Sequence, residues 1–280
     1  MTDTTPPPLT WDLDAAIEIV TAPTDGSAAR CMAHCRHGSF EAWAWMDFAV
    51  EDPGVIHPGK ATIMPLGPTG GTAVVVAFQE AATPCIGELV PTTFCPLPGI
   101  IEQTADLIAS LDILPLRHFV TRALMSPAAF RRFWSCPASR YYHHAFAGGL
   151  ALHSLEVAVP VAVSPKLPRF ERELGIVYAL LHDYGKLWWL EPDLFDPQER
   201  RGHEPIGRAK LGPALAALAE ADTGLAAVMT ELLGGPPAPR QSPYPLAIKK
   251  IVHAFDQMSC EAPKRLFHEV RLSYQDEPTP

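Results

Sequence analysis

The stretch YALLHDYGKLWWL, Tyr178–Leu190, places a histidine, an aspartate and a lysine inside an otherwise apolar run. His182 and Asp183 are adjacent, and Lys186 follows within the next turn of chain. The apolar neighbours predict that this segment is buried, yet an ionisable side chain that is buried without a partner is costly. The segment therefore predicts that its polar side chains surround something that they bind.

Two further segments supply side chains of the same chemistry. His153 lies in GGLALHSLEVA and Asp256 lies in IVHAFDQMS, and both segments have apolar residues at helical spacing. Neighbouring residues on a helix point about 100° apart, so His182 and Asp183 reach one ion only over a helix edge, with other helices completing the shell. Two imidazoles and two carboxylates suit manganese, iron, nickel or zinc better than calcium. We therefore predict a divalent metal bound by His153, His182, Asp183 and Asp256.

This order of ligands, with H, then HD, then D on successive helices, resembles the HD-domain superfamily of metal-dependent phosphohydrolases. Lys186 completes the HDxGK form of that motif. Within the superfamily, SCPASRYYHHAFAGGLALHSLEVA (Ser135–Ala158) is similar to the signature of YhaM-type 3′-to-5′ exoribonucleases and of TraI-type relaxases of the MobH class. The resemblance covers roughly residues 110–262, and it implies a helical bundle that hydrolyses phosphate esters.

The resemblance also implies residues that act on the substrate. Lys186 would contact a substrate phosphate or an acidic neighbour, and His203 in GHEPIGRAKLG would ligate a second metal or donate a proton. His144 would orient a leaving group. Arg140 would belong to a phosphate clamp with Arg131 and Arg132, unless these arginines form only a solvated basic face. The chain lacks a further histidine between His203 and His253, which favours one metal ion over two.

The pattern of apolar and turn residues changes along the chain and predicts an α+β protein. Residues 1–27 are predicted as a leader with a short helix at Trp11–Val20. Residues 28–99 are predicted as a small β-rich domain that ends in a proline-rich linker, because short apolar runs alternate with turn residues up to about residue 80. Residues 100–280 show apolar residues at helical spacing and are predicted as all-α. The resemblance to YhaM-type proteins implies that the first of these is an OB-like barrel and the second an HD-domain bundle.

The charge distribution limits where a phosphate-rich partner could bind. Residues 1–110 contain only Arg30, Arg36 and Lys60 as basic residues, so the formal net charge of −9 arises in that part of the chain. A surface of that sign repels phosphate backbones, which assigns any contact with nucleic acid to the helical part. The start of the chain lacks the pattern of a secretory signal, and no apolar run is long enough to span a bilayer. These features predict a cytoplasmic protein without a membrane partner.

The sequence thus predicts a metal-dependent phosphodiesterase or nuclease, with single-stranded nucleic acid as the favoured substrate. One alternative is a nucleotide or cyclic-dinucleotide phosphohydrolase. Another is a non-catalytic module of a conjugation or relaxase system that binds nucleic acid or a partner protein. The sequence leaves open whether the chain forms a homo-oligomer.

Overall fold

The computed structural model describes residues 10–23, 27–45, 56–66, 72–190, 202–234 and 245–273, with side chains up to residue 262. The chain divides into two compact units. The first comprises Met1–Phe94 and Leu124–Arg131, and the second comprises Cys95–Ala123 and Arg132–Pro280. Strands followed by helices confirm the predicted α+β class. No helix in the described part is long and apolar enough to cross a membrane.

Five strands form a closed barrel in the first unit. They are β1 (Trp11–Thr21), β2 (Ala29–Cys35), β3 (Gly38–Ala44), β4 (Ile56–Pro65) and β5 (Thr72–Glu80). Their order around the barrel is β1, β2, β3, β5, β4, and β4 pairs with β1 to close it. Neighbouring strands are antiparallel except β3 and β5, which are parallel. The β-rich texture of residues 28–80 therefore corresponds to strands β2 to β5.

Small and β-branched side chains fill the interior of the barrel. Alternate residues of each strand point inward, which is the period-two pattern of a half-buried strand. On β1 these are Ala15, Ile17 and Ile19, all fully buried, and the other strands contribute mostly alanine. The small alanine side chains suit the narrow interior of a barrel of only five strands.

The segment predicted as a short helix, Trp11–Val20, is strand β1, so that prediction is wrong. Its apolar residues fit either period over so short a run, and the pairing of β1 with both β2 and β4 decides between them. The expected leader therefore contains a strand of the barrel. The part of it before residue 10 lies outside the described residues.

The predicted linker is also ordered over much of its length. Helix α1 (Ile86–Leu89) and a 3₁₀ turn (Thr92–Phe94) belong to the first unit. Ile86, Leu89 and Val90 are buried, and the backbone of Arg36 bonds to the carbonyl of Glu88 at 2.8 Å. The boundary between the two units falls within this segment, after Phe94, and burial of the three apolar side chains holds residues 86–90 in place.

Ten helices of the described chain belong wholly or mainly to the second unit. They are α2 (Ile100–Ala109), α3 (Leu114–Leu124), α4 (Arg132–Ser135), α5 (Gly149–Ala162), α6 (Arg169–Leu181), α7 (Lys186–Trp189), α8 (His203–Lys210), α9 (Gly212–Ala221), α10 (Thr223–Leu232) and α11 (Leu246–Ser273). The helical spacing read from the sequence is thereby confirmed. Residues 124–131, expected in the helical domain, instead group with the barrel.

Helices α5, α6 and α11 pack against one another and form the centre of the second unit. Nine of the residues of α6 are buried, from Glu173 to Leu181 without interruption. A helix that is apolar all round must be enclosed by other elements. The C-terminal end of α6 therefore lies in the interior, close to α5 and α11. The polar residues His182 and Asp183 follow directly after it.

Candidate metal centre

His182 and Asp183 lie in the turn that follows α6, and not within a helix as the sequence predicted. The His182 ring donates from Nδ1 to the carbonyl of Ala179 at 2.7 Å. Because Nδ1 carries the proton in this bond, the other nitrogen, Nε2, has a lone pair, which points into the interior. Among the described residues, Nε2 has no hydrogen-bond partner. Burial lowers the pKa of His182, which keeps the ring neutral and available as a ligand.

His153, on α5, is oriented by a chain of hydrogen bonds. Ser259, on α11, donates to Glu156 Oε2 at 2.7 Å, so its oxygen accepts from His153 Nδ1 at 3.1 Å. The His153 side chain is fully buried, and its Nε2 has no hydrogen-bond partner within the described chain. In their neutral forms both histidines thus present the Nε2 lone pair to the same space. A second partner that fixes the tautomer is typical of histidines that bind metal.

Two carboxylates meet these lone pairs. His153 Nε2 lies 3.4 Å from Asp183 Oδ2 and 3.1 Å from Asp256 Oδ1, while His182 Nε2 lies 3.5 Å and 3.9 Å from the same two atoms. For metal–ligand bonds of about 2.1 Å, neighbouring ligands lie roughly 3 to 3.5 Å apart and opposite ligands about 4 Å apart. The four predicted ligands therefore converge with the spacing that one ion requires, and the residues fit a divalent metal.

The electrostatics of the metal-free centre show how strongly it attracts positive charge. Burial acts to lower the pKa of His153, but Asp183 and Asp256 outweigh burial and raise it to about 9. Burial acts to raise the pKa of Asp256, but His153 and His182 hold it at about 2. The pKa of Asp183 is likewise held well below its usual range despite burial. A proton on His153 thus occupies the position that a metal ion would take.

Lys186 and His203 both contact Asp183. Lys186 Nζ lies 2.5 Å from Oδ2, and His203 Nε2 lies 2.8 Å from Oδ1. Lys186 was predicted to contact either a substrate phosphate or an acidic neighbour, and the structure shows the contact with an acidic neighbour. The Lys186 side chain is almost fully buried, whereas that of His203 is 22% exposed. Only His203 of this pair is therefore within reach of a molecule that enters from solvent.

Gly185 explains how His203 reaches the centre. A Cβ at Gly185 would collide with the carbonyl oxygen of His203 and lie 2.6 Å from the backbone nitrogen of Gly207. The first turn of α8 therefore packs directly on the backbone of the turn after α6. The glycine of the HDxGK motif is required here because any side chain would push α8, and His203 with it, away from Asp183.

His144 lies beside the centre, on the other side from His203. Its Nε2 is 3.1 Å from Glu156 Oε2, and its ring centroid is 5.3 Å from that of His153. The backbone of His144 adopts φ 52°, the left-handed region that non-glycine residues seldom occupy. This conformation turns His144 and its neighbour His143 toward the same interior space, since both rings lie within 6 Å of the His153 ring.

The predicted phosphate clamp is only partly available. Arg131 groups with the first unit, where it pairs with Glu18 at 3.4 Å, and Arg132 donates to the carbonyl of Leu187. Both arginines thus have partners within the protein, and their part in a phosphate clamp stays a prediction. Arg140 is exposed in a bend before His143, and its role in phosphate binding stays a prediction.

Three residues beside the ligands were not predicted from the sequence. Ser259 contacts His153, Cys260 contacts Asp256, and Glu156 bonds to Ser259. Helical spacing could have found them, because Glu156 lies three positions after His153, and Ser259 and Cys260 lie three and four positions after Asp256. Burial raises the pKa of the Cys260 thiol to about 12, with Asp256 adding to the effect, so the thiol is neutral in the metal-free centre.

Comparison of the chain with protein-family models, with curated protein sequences and with solved structures finds no match.

Proposed function

We propose that the second unit is an HD-type, metal-dependent phosphohydrolase that cleaves phosphodiester bonds. The observation that carries the proposal is the convergence of His153, His182, Asp183 and Asp256, whose ligand atoms lie 3.1 to 3.9 Å apart on three separate parts of the chain. The buried Nε2 of His182, which has no hydrogen-bond partner in the described chain, is difficult to explain as packing alone. A bound divalent ion would polarise a phosphoryl oxygen and make water a better nucleophile.

The surrounding residues would hold and orient these groups. Lys186 offsets the negative charge of Asp183, and His203 Nε2 lies at the open edge of the centre, where it can hold or donate a proton. His144, fixed by Glu156, would orient the leaving group from the opposite side. Arg140 would bind phosphate at the surface, since guanidinium groups suit bidentate contacts with phosphate oxygens.

Within this proposal the barrel is an OB-like fold. Its support is the strand order β1, β2, β3, β5, β4 with parallel β3 and β5, which is the arrangement of five-stranded Greek-key barrels of that class. YhaM-type exoribonucleases carry such a barrel before the HD domain, so the combination favours single-stranded nucleic acid as the substrate over nucleotides. A salt titration separates the two, because binding of a polymer weakens steeply with salt in proportion to its phosphate contacts.

The enzymatic proposal is tested by hydrolysis of bis-p-nitrophenyl phosphate with Mn²⁺. We expect turnover in the full chain, and a decrease of more than about 100-fold in Asp183→Asn and Asp256→Asn, which exceeds the usual effect of removing an outer partner of a metal ligand. Asp106→Asn, an exposed position on α2, is the matched control and should retain full activity. A folded wild-type protein that binds no divalent metal and releases no product would overturn the proposal.

A non-catalytic binding module is the second candidate, and one observation favours it. Lys186 and His203, the two side chains that the resemblance assigns to the substrate, both contact Asp183. In that case an Asp183→Asn variant that remains folded would bind an oligonucleotide or a partner protein with unchanged affinity. A hydrolase whose metal helps to hold the substrate would instead lose affinity together with turnover.

A further inference from the structure

A second group of ligand atoms lies directly beside the four-residue centre. Cys260 Sγ is 3.1 Å from His143 Nε2 and 3.5 Å from Asp256 Oδ1. The Cys260 thiol thus contacts an imidazole and a carboxylate at the same time, and the carboxylate oxygen is the one that also faces His153. None of these three side chains is fully exposed. The group joins α11 to the segment before α5.

A neighbouring buried nitrogen without a partner indicates that this space is built for a ligand. The His144 side chain is 8% exposed, and its Nε2 is occupied by Glu156. Its Nδ1 has no hydrogen-bond partner in the described part of the chain. One ring nitrogen each of His143, His144 and His153 lies within 4.8 Å of the other two. An unpaired buried nitrogen at such a position is costly unless it faces a donor or a cation.

We propose that His143, Cys260 and Asp256 hold a second metal ion, of the class that binds thiolate, with the Asp256 carboxylate shared between the two ions. The inference rests on the first site of the proposed function, because that site also uses Asp256. The ring of His144, whose Nδ1 has no partner among the described residues, lies beside that of His143, with the ring centroids 5.7 Å apart. Sequence analysis favoured a single ion because the chain lacks another histidine after His203, whereas this site takes its imidazole from the segment before α5 and its thiolate from α11.

The chemistry of the three donors selects the metal. Zinc and cobalt form bonds of about 2.3 Å to thiolate and about 2.1 Å to imidazole, so neighbouring sulfur and nitrogen ligands lie roughly 3.1 to 3.6 Å apart. The separations of 3.1 Å and 3.5 Å fit this range. When an ion binds, the Cys260 thiol releases its proton to solvent and the sulfur bonds to the metal. The first site has only nitrogen and oxygen ligands and does not favour metals that bind thiolate, so the two sites differ in metal selectivity.

Titration of the metal-free full chain with Co²⁺ tests the inference, because thiolate bound to Co²⁺ gives a charge-transfer band in the near ultraviolet. We expect two equivalents to bind the wild type and the band to appear with one of them. Cys260→Ala and His143→Gln should each bind a single equivalent, and Cys260→Ala should lose the band. Cys85→Ser, at an exposed thiol of the first unit, is the control and should behave as wild type.

The outcomes separate this inference from the proposed function. Binding of one equivalent to the wild type without the thiolate band overturns the second site and leaves the first. One equivalent with the band means that a single ion is bound by thiolate, which overturns the inference of two ions. Retention of the band in Cys260→Ala also overturns it, because the thiolate then comes from another cysteine. Binding of no Co²⁺ by the folded wild type overturns both. Loss of one equivalent in both variants, but not in Cys85→Ser, is the result that supports the second site.

Discussion

His153 uses its two ring nitrogens for different purposes, and this division predicts the pH dependence of metal binding. Nδ1 is bonded to Ser259, while Nε2 faces the carboxylates of Asp183 and Asp256. Burial lowers the pKa of His153, but the carboxylates outweigh burial and raise it to about 9 in the metal-free protein. The ring must lose this proton before it can bind an ion.

We therefore expect the affinity for Mn²⁺ to rise about tenfold per pH unit between about pH 6.5 and 8.5, with one proton released per ion. Titration calorimetry in buffers of different ionisation enthalpy measures both quantities. The sign follows from the raised pKa, since the proton stabilises the metal-free fold below the unfolded value of 6.5 and this contribution is lost as the pH rises through about 9. An affinity that does not change with pH would contradict the assigned role of Nε2.

Ser259 acts on the metal only through His153, so its removal should weaken binding without abolishing it. We expect Ser259→Ala to raise the Kd for Mn²⁺ by about 10- to 100-fold, because His153 loses the bond that fixes its tautomer. Thr230→Ala, which removes a hydroxyl bonded to its own helix at Ala226, is the matched control. Ser259→Thr retains the hydroxyl and should restore most of the affinity. Equal losses in Ser259→Ala and Thr230→Ala would point to general destabilisation instead.

At the scale of elements, the packing of α8 on the turn after α6 depends on a single glycine. Gly185→Ala should destabilise the protein by about 1 to 3 kcal/mol, since the methyl group would have to displace the backbone of His203. It should also weaken the contact between His203 and Asp183. Gly212→Ala is the matched control, because a Cβ there meets nothing within 4 Å. Urea denaturation of the two variants gives the comparison, and equal stability would contradict the close approach of α8.

Strand β1 offers the second test at this scale, because it is the element for which the sequence prediction was wrong. Ile17 is fully buried in the barrel, while Val20, three positions later, is 44% exposed. Ile17→Ala should cost about 2 to 5 kcal/mol of stability, and Val20→Ala less than about 1 kcal/mol. Denaturant unfolding followed by tryptophan fluorescence measures both. Similar costs at the two positions would be inconsistent with the alternation of a strand.

These elements also show why the sequence predicted some structure and missed the rest. The long helices were predictable because their apolar residues repeat over several turns, as in α5, α6 and α11. β1 was not, because its eleven residues fit two periods and the barrel partners that decide between them lie far along the chain. The segment with α1 was interpreted as a linker because of its prolines, although its apolar residues Ile86, Leu89 and Val90 are buried in the structure.

Across the whole molecule, the candidate site was predicted by residue type and its surroundings were not. The four ligands could be selected because their spacing over three segments agrees with the HDxGK and GGLxxH contexts, and the structure brings all four together. Glu156 and Cys260 escaped attention because a glutamate and a cysteine on a helix face have ordinary structural explanations. Their significance depends on α5 and α11 lying side by side, which only the tertiary structure shows.

The convergence of distant segments on one ion predicts where metal binding should protect the chain. We expect Mn²⁺ to slow hydrogen exchange in peptides that cover α5, the turn after α6 and the middle of α11, because an ion that binds only the folded state stabilises it by about 2.7 kcal/mol at 100 times the Kd. Peptides from β1 to β5 contribute no ligand, so Mn²⁺ should slow their hydrogen exchange less than that of these three segments. Asp256→Asn should abolish the protection in α5 as well as in α11, although residues 153 and 256 are far apart in sequence. Protection confined to α11 would mean that the ion binds Asp256 without His153 and His182, which would contradict the four-ligand centre.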